Sequence, residues 1–268
     1  MLRLSALYRY PLKSGKADTL QHIGLDKLGL QGDRRWMLVD EASGRFLTQR
    51  AVAKMSQLSA LYNPAGGLTL SSPGYATLDV ALPDSAAELR GITIWRDTLR
   101  VPDAGEAAAR WVSDFIGKPT RLVHMPLERA RATDAGFGKD SDQVGFADGY
   151  PLLLIGQASL DDLSARIGRP MPMLRFRPNL VIEGAEAFAE DGWKRLRIGD
   201  IEFRVVKPCS RCILTTIDPQ TGERSADREP FATLETYRKT ENGAMFGQNL
   251  VNDGIGELAV GMPVTVLE

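Results

Sequence analysis

Two cysteines close together are the only thiols in the chain. Cys209 and Cys212 lie in the segment KPCSRCILTTIDP, residues 207–219. A thiolate is a nucleophile and a soft metal ligand, and the positive charge of Lys207 and Arg211 favours the thiolate over the thiol. Two cysteines so near each other cannot form a disulfide framework. The pair therefore has to be explained by local chemistry.

Several interpretations of this C-x-x-C pair stay open from spacing alone. A structural zinc site needs two more ligands, but His22 and His124 lie far apart without ligand spacing. A thioredoxin-type dithiol lies at a helix N-terminus, whereas residues 213–217, ILTTI, predict a β-strand. Two small buried thiols at a strand end are a further interpretation, since free cysteine is often part of a core. The flanking positive charges favour a thiolate that binds a soft or high-valent metal.

The elements that would position this segment are mostly strands. Turn residues separate short alternating or β-branched runs, and the turns near the end of the chain favour a closed or nearly closed barrel. Strands are predicted at 3–10, 68–70, 76–80, 92–95, 179–183, 193–198, 201–206 and 263–267, with a hairpin at 35–48. Apolar residues at spacings of three and four predict helices at 105–116, 159–167 and 231–238, with Ser159 as an N-cap. Residues 130–149 are polar and rich in Gly and Asp, which predicts a long mobile loop bordering a site.

Composition excludes several classes of protein. The chain has 268 residues, 43% hydrophobic and 25% charged, which is typical of a soluble globular protein of one large or two small domains. Its net charge of −1 gives no general attraction to nucleic acid or to anionic membranes. No apolar run approaches the length that spans a bilayer, and the N-terminus does not have the pattern of a signal peptide. These features predict a cytoplasmic protein.

Six ordered sequence blocks resemble one known family. The cysteine segment is similar to the signature of MOSC proteins, in the branch that contains the mitochondrial amidoxime reducing component and its bacterial relatives. Five further blocks, in the family's order, are residues 10–15, 32–36, 146–155, 175–179 and 246–249. The resemblance implies a mostly β, α+β fold: a MOSC N-terminal domain at residues 1–125 and a MOSC β-barrel domain at residues 126–268, with a few peripheral helices. A pyridoxal phosphate binding-like character is a further expectation.

The resemblance also implies a cofactor and its ligands. In this family the second cysteine of the motif binds molybdenum, which corresponds to Cys212, while Cys209 is a neighbour. The cofactor, Mo-molybdopterin, ends in a phosphate that needs fixed cations. The implied cofactor-binding residues are Lys13, Ser14, Arg34, Gly149, Tyr150, Arg177, Asn179, Ser210, Arg211 and Asn249. Asp148 is expected either to orient the metal's oxo or water ligand or to cap the turn before Pro151.

The implied activity is a two-electron reduction. An N-oxygenated substrate such as an amidoxime or a hydroxylamine loses its N–O bond and water is released. Electrons are expected from a separate protein of ferredoxin, flavodoxin or cytochrome b5 type, because no cysteines remain for an iron–sulfur domain. The membrane anchor of the mitochondrial relatives is expected to be missing. The alternative is a cofactor carrier or sulfur-handling MOSC protein without its own turnover.

Overall fold

Strands dominate the computed structural model, which describes residues 1–134 and 136–268; the predicted mostly β, α+β class is confirmed. In chain order the strands are β1 (Arg3–Arg9), β2 (Asp18–Leu20), β3 (His22–Asp26), β4 (Gly29–Leu30), β5 (Trp36–Asp40), β6 (Ser59–Tyr62), β7 (Leu68–Ser71), β8 (Leu78–Val80), β9 (Leu89–Ile94), β10 (Asp97–Pro102), β11 (Thr120–His124), β12 (Arg131–Ala132), β13 (Gln143–Val144), β14 (Leu152–Gly156), β15 (Leu180–Glu183), β16 (Arg195–Ile198), β17 (Ile201–Arg211), β18 (Lys239–Thr240), β19 (Gly243–Asn252), β20 (Gly256–Ala259) and β21 (Val264–Val266). The α-helices are α1 (Glu106–Ile116), α2 (Gln157–Ile167) and α3 (Phe231–Tyr237).

The largest sheet closes into a barrel. Its strands follow the order β2-β1-β15-β14-β19-β17-β16-β21, and β14 and β15 run parallel whereas the other neighbours that pair along this path are antiparallel. The segment around β21 returns to β1, because Leu4 N donates to Met262 O at 3.0 Å and Val264 N donates to Leu2 O at 3.0 Å. The alternating apolar residues of these strands fill one core cluster. The first strand of the chain is thus part of the same barrel as the cysteine segment.

A second core lies under α1. The apolar face of α1, with Ala108, Val112 and Phe115, packs with residues of β5, β6, β7, β8 and β11. The helix ends at Gly117, whose φ of 87° is a left-handed conformation that glycine adopts without a steric penalty. This second core supports the loops after β1 and before β5, which reach towards the barrel.

Three local predictions need correction. Helix α2 begins at Gln157, and Ser159 is not its cap: its buried hydroxyl donates to Glu190 Oε2 at 2.9 Å and accepts from Phe188 N at 2.7 Å. Residues 213–217 do not form a strand, because the Thr215 hydroxyl donates back to Cys212 O at 3.0 Å in a short 3-10 helix, Ile213–Thr216. Trp95 lies in the turn after β9 and not in the strand.

The polar stretch 130–149 contains short pairing. Strands β12 and β13 pair through Arg131 and Val144, and the Arg131 guanidinium donates to the carbonyls of Gly145 at 3.0 Å and Ala147 at 2.5 Å. Residue 135 lies outside the described residues, and the mobility of this stretch stays a prediction. The bonds from Arg131 fix the backbone that leads into Asp148.

Candidate functional site

Every residue selected from the sequence lines one cavity. This central cavity has a volume of about 150 Å³. Its lining includes Lys13, Ser14, Arg34, Asp148, Gly149, Tyr150, Arg177, Asn179, Ser210, Arg211, Cys212 and Asn249. Cys209, Thr48, Arg50 and Trp95 contribute to the same wall. Residues as far apart in the chain as Lys13 and Asn249 are therefore brought together.

Loops and one long strand deliver these side chains. Lys13 and Ser14 follow β1, Arg34 precedes β5, Asp148 precedes β14, and Arg177 precedes β15. The end of β1 and the starts of β14 and β15 lie at the same edge of the sheet. The cysteine segment comes from the end of β17, which pairs with β19, so residues from both halves of the chain meet at the cavity.

Unusual backbone conformations concentrate around the cavity. Among the described residues, six non-glycine positions have a positive φ, and four of them line the cavity: Ser14 (63°), Arg34 (46°), Trp95 (52°) and Arg177 (56°). The left-handed region costs about 1 to 2 kcal/mol for a residue with a Cβ. Such conformations persist where the surrounding structure enforces them, commonly at functional sites. The clustering therefore supports this cavity as a site.

Two arginines share one tyrosine ring. The guanidinium carbons of Arg34 and Arg177 lie 4.4 and 4.2 Å from the centroid of Tyr10. Arg34 donates to Asp33 at 2.5 Å and to Asn179 at 2.9 Å, whereas Arg177 Nη1 donates to Gly15 O at 2.7 Å. Burial lowers the pKa of Arg177 to about 10, so the side chain is still charged at neutral pH.

Two buried nitrogens at the cavity have no hydrogen-bond partner among the residues that the structure describes. They are Arg177 Nη2 and Arg211 Nε, both enclosed by protein. An unpaired buried donor on a cation is costly unless a ligand accepts from it. Arg177 also lines a rear cavity of about 340 Å³, which shares Leu214 with the central cavity. The arrangement suits an elongated anionic ligand.

Lys13 and Asp148 form an ion pair in the cavity wall. The Lys13 ammonium donates to Asp148 and, at 2.7 Å, to Phe146 O. Burial lowers the pKa of Lys13, and the Asp148 carboxylate opposes that shift. Enclosure alone would raise the pKa of Asp148, but Lys13, Arg50 and Arg34 lower it to about 2. Asp148 is therefore an anion throughout the physiological range, and its side chain is 63% exposed to the cavity.

Several polar residues of the wall already form hydrogen bonds with other protein groups. The Asn179 amide accepts from Leu153 N at 3.1 Å and from Arg34, and donates to Tyr8 O at 3.1 Å. Asn249 donates to Lys207 O at 3.1 Å, and the Tyr150 hydroxyl donates to Asp134 O at 3.2 Å. The Ser210 hydroxyl donates to Asn242 O at 2.9 Å. These side chains hold the cavity wall in place, and Asn179 orients Arg34.

The two cysteines have different surroundings. Cys212 Sγ accepts from Arg50 Nε at 3.3 Å and lies in the cavity wall just before the 3-10 helix. Cys209 Sγ accepts from Arg211 Nη1 at 2.9 Å and packs against the cluster that contains Phe176. In the described part of the chain no three His, Cys, Asp or Glu side chains gather to hold a metal. A metal bound by Cys212 would therefore need ligands from a cofactor.

Sequence reasoning missed several residues of the wall, among them Thr48, Arg50 and Trp95. Thr48 and Arg50 follow the edge segment that pairs with β5, and Trp95 lies at the tip of the β9–β10 hairpin. Polar residues that follow a strand, and an aromatic residue at a hairpin tip, are signals available in the sequence. Neither signal indicates which distant segment the residue will meet.

Comparisons with known proteins match the whole chain. Residues 1–119 match the MOSC N-terminal beta barrel domain, and residues 141–265 match the MOSC domain. Mitochondrial amidoxime-reducing component 1 of Homo sapiens is 34% identical over 98% of this chain and 82% of its own length. The protein of the same name from Danio rerio is 33% identical over 97% of this chain and 83% of its own length. Mitochondrial amidoxime reducing component 2 of Homo sapiens is 32% identical over 97% of this chain and 82% of its own length.

The expected cytoplasmic location is wrong. The relatives named above are mitochondrial proteins, which points to mitochondria and not to the cytoplasm. Charge and hydropathy describe how a chain interacts with water and membranes, but they do not specify its compartment. Within the described residues, no helix has both the length and the apolar character needed to cross a membrane.

These matches extend to both halves of the chain. The boundary that we propose between residues 125 and 126 lies between the two matched segments. Identity of 34% over 98% of this chain and 82% of the relative's length identifies the family. The chain belongs to the MOSC family of amidoxime-reducing components.

Proposed function

We propose that the chain is a molybdenum-cofactor-dependent reductase of N-hydroxylated compounds. The observation that carries this proposal is the meeting of the Cys212 thiol, in one cavity, with three cations from distant segments, Lys13, Arg34 and Arg177, and with the neighbouring Arg211. The names of the full-length relatives supply the class of substrate. The proposed overall reaction takes two electrons and two protons, cleaves the N–O bond of an amidoxime, and releases the amidine and water.

The residues of the cavity fit such a cofactor. Cys212 would bind molybdenum through its thiolate, a soft ligand suited to this metal. The unpartnered nitrogens of Arg177 and Arg211 would donate to the organic part, and Lys13, Ser14 and Arg34 would complete a cationic surface for its phosphate. We propose the same surroundings for Gly149, Tyr150, Asn179, Ser210 and Asn249. When bound, the metal supplies the two-electron redox change.

The protein's own contribution is orientation and charge. Asp148 stays ionised because Lys13 donates to it, and a fixed carboxylate accepts N–H hydrogen bonds from the amide-like end of an amidoxime. Arg50 holds the Cys212 sulfur from the outer side of the cavity. The Lys13 ammonium is buried on one side of the pair, while the Asp148 carboxylate stays open to the cavity. Asn179 keeps Arg34 aimed at the cavity.

We further propose a separate electron-donor protein of ferredoxin, flavodoxin or cytochrome b5 type. Both cysteines of the chain lie at the cavity wall, and an iron–sulfur cluster needs several thiolates. A pyridoxal phosphate binding-like character has no support in the comparisons, and we do not propose it.

The test is turnover by the loaded protein. Protein made in a host that synthesises the cofactor should contain molybdenum and pterin, and should reduce benzamidoxime to benzamidine with a chemical reductant. Loading without turnover would favour a carrier or sulfur-handling protein instead. Absence of both molybdenum and pterin would exclude both functions.

A further inference from the structure

A second, wider cleft opens beside the central cavity. This outer cleft has a volume of about 800 Å³, which is within the range of pockets that bind small organic ligands. The two cavities share part of their lining, namely Trp95, Asp148, Gly149, Tyr150, Cys209, Ser210 and Asn249. A ligand in the outer cleft would therefore extend directly from the reaction site.

Trp95 stands between these two cavities. Its side chain is 41% exposed, and its φ of 52° places a bulky residue in the left-handed region. The other three strained residues of the wall are Ser14, Arg34 and Arg177, all of them proposed cofactor ligands. The two-residue turn between Ile94 and Asp97 sets this backbone conformation, but such turns favour Gly, Asn or Asp. A large, partly exposed aromatic residue at this position has no role in the core, which points to a function at the cleft.

The position of Trp95 is fixed by its neighbours. Its ring lies 5.0 Å from the ring of Phe46, at an interplanar angle of 59°. The guanidinium of Arg50, which donates to Cys212 Sγ, lies 5.2 Å from the Trp95 ring. The hairpin that carries Trp95 is tied to the loop before Asp148, because Asp97 pairs with Arg131 at 2.7 Å. Trp95 and Phe46 thus form a rigid aromatic wall beside the thiol.

We propose that this aromatic wall selects N-hydroxylated substrates that carry a flat aryl group on the amidoxime carbon. The inference rests on the proposed function and specifies its substrate class. The N–O group would enter the central cavity, and the aryl ring would lie in the outer cleft against Trp95 and Phe46. Two aromatic rings in contact gain free energy in addition to that of burying their surface. An aryl substrate would therefore bind more favourably against this wall than an alkyl substrate.

The test compares two substrates in three variants. Trp95→Gly removes the ring and relieves the strained backbone, Trp95→Phe keeps a ring, and Tyr75→Ala removes an aromatic residue of similar exposure, 39%, that packs beside α1. The measured quantity is the ratio of kcat/KM for benzamidoxime to kcat/KM for acetamidoxime. Trp95→Gly should lower this ratio by about tenfold. Trp95→Phe should restore most of it, and Tyr75→Ala should leave it unchanged.

Two outcomes would overturn the proposal. One is a wild-type protein with no preference for the aryl substrate, and the other is a ratio that Trp95→Gly leaves unchanged. If the wild-type protein reduces neither amidoxime, the proposed function fails. Calorimetric binding of the same two compounds then tests whether the aromatic wall selects the aryl compound. Tighter binding of benzamidoxime that is lost in Trp95→Gly supports the wall, and equal binding of both compounds contradicts it. A thermal unfolding midpoint of Trp95→Gly at or above that of the wild type shows that the fold is retained.

Discussion

Two arginines give the two cysteines separate environments. Arg50 donates to Cys212 in the cavity, and Arg211 donates to Cys209 beside an apolar cluster. Each sulfur therefore accepts a hydrogen bond from its own guanidinium. Cys209 also fits the interpretation of a small thiol that packs against a core at a strand end. Both sulfurs border the central cavity, but only Cys212 accepts a hydrogen bond from a distant cation, Arg50, because the donor to Cys209 lies two residues along the chain.

Replacing Asp148 by asparagine should lower the pH at which Lys13 loses its positive charge. The carboxylate raises the pKa of Lys13 against the effect of burial, so its loss lowers that pKa. The ammonium exists below its pKa, and the alkaline loss of cofactor retention should therefore begin at a lower pH than in the wild type. Molybdenum retained after gel filtration between about pH 6 and 10 measures this effect.

The matched control is Asp134→Asn. That carboxylate pairs with Lys207 and Arg96 at the outer cleft and does not contact Lys13. Identical alkaline profiles for wild type and Asp148→Asn would show that this ion pair does not set the charge of Lys13.

The resemblance to the MOSC family, carried by six ordered blocks, was enough to predict a set of residues that lines one cavity. It implied Lys13, Arg34 and Arg177 as cations for the cofactor phosphate, and all three line the central cavity. Arg50 and Trp95 were not predicted. Their contribution depends on where the β9–β10 hairpin and the segment after β5 lie relative to the barrel, and side-chain chemistry alone does not specify this.

At the scale of elements, the contact between β14 and β19 depends on one glycine. Gly247 lies in β19 with a φ of 78°, and a Cβ there would lie 2.7 Å from Ile155 Cγ1 and 2.8 Å from Leu154 O. The register of β17 on β19 shifts close by, between Pro208 and Ser210. The close approach allows the barrel wall to curve next to the cysteine segment.

Gly247→Ala should therefore destabilise the protein more than Gly117→Ala. Both positions have a positive φ, but a Cβ at Gly117 meets nothing within 4 Å. We expect Gly117→Ala to lower the free energy of unfolding by about 1 kcal/mol, and Gly247→Ala to lower it by about 3 kcal/mol. Urea unfolding of both variants measures the difference. Equal losses would mean that the barrel wall adjusts freely at this point.

Element types were predictable, but some boundaries depended on tertiary contacts. Apolar spacing predicted α1 correctly, whereas Ser159 looked like a cap because its type suits caps. In the structure the Ser159 hydroxyl instead donates a hydrogen bond to the buried Glu190 carboxylate. Likewise, residues 213–217 have strand composition, yet local hydrogen bonds from Thr215 and Thr216 form a short helix. Such competition between local bonds and a sheet is not visible in composition.

At the scale of the whole molecule, the two halves of the chain are joined through the barrel. Strand β1 pairs with β15 over Arg3–Leu7, so the N-terminal segment is a wall of the same barrel that carries Cys212. Lys13 and Ser14 follow directly from that strand. The predicted closed or nearly closed barrel was correct. However, a domain boundary between residues 125 and 126 gives no indication that β1, from the N-terminal half, would pair within the barrel of the C-terminal half. A long-range pairing has no signature in local sequence.

The most direct test of this account is the molybdenum content of three purified proteins. Wild type, Cys209→Ser and Cys212→Ser would be made in the same cofactor-producing host and assayed for molybdenum per chain. Cys209→Ser should keep nearly the wild-type content, because its sulfur faces Arg211 and the apolar cluster. Cys212→Ser should lose more than about 90% of the metal, since the thiolate ligand is gone. Full molybdenum content in Cys212→Ser, or equal losses in both variants, would contradict the assignment of Cys212 as the ligand.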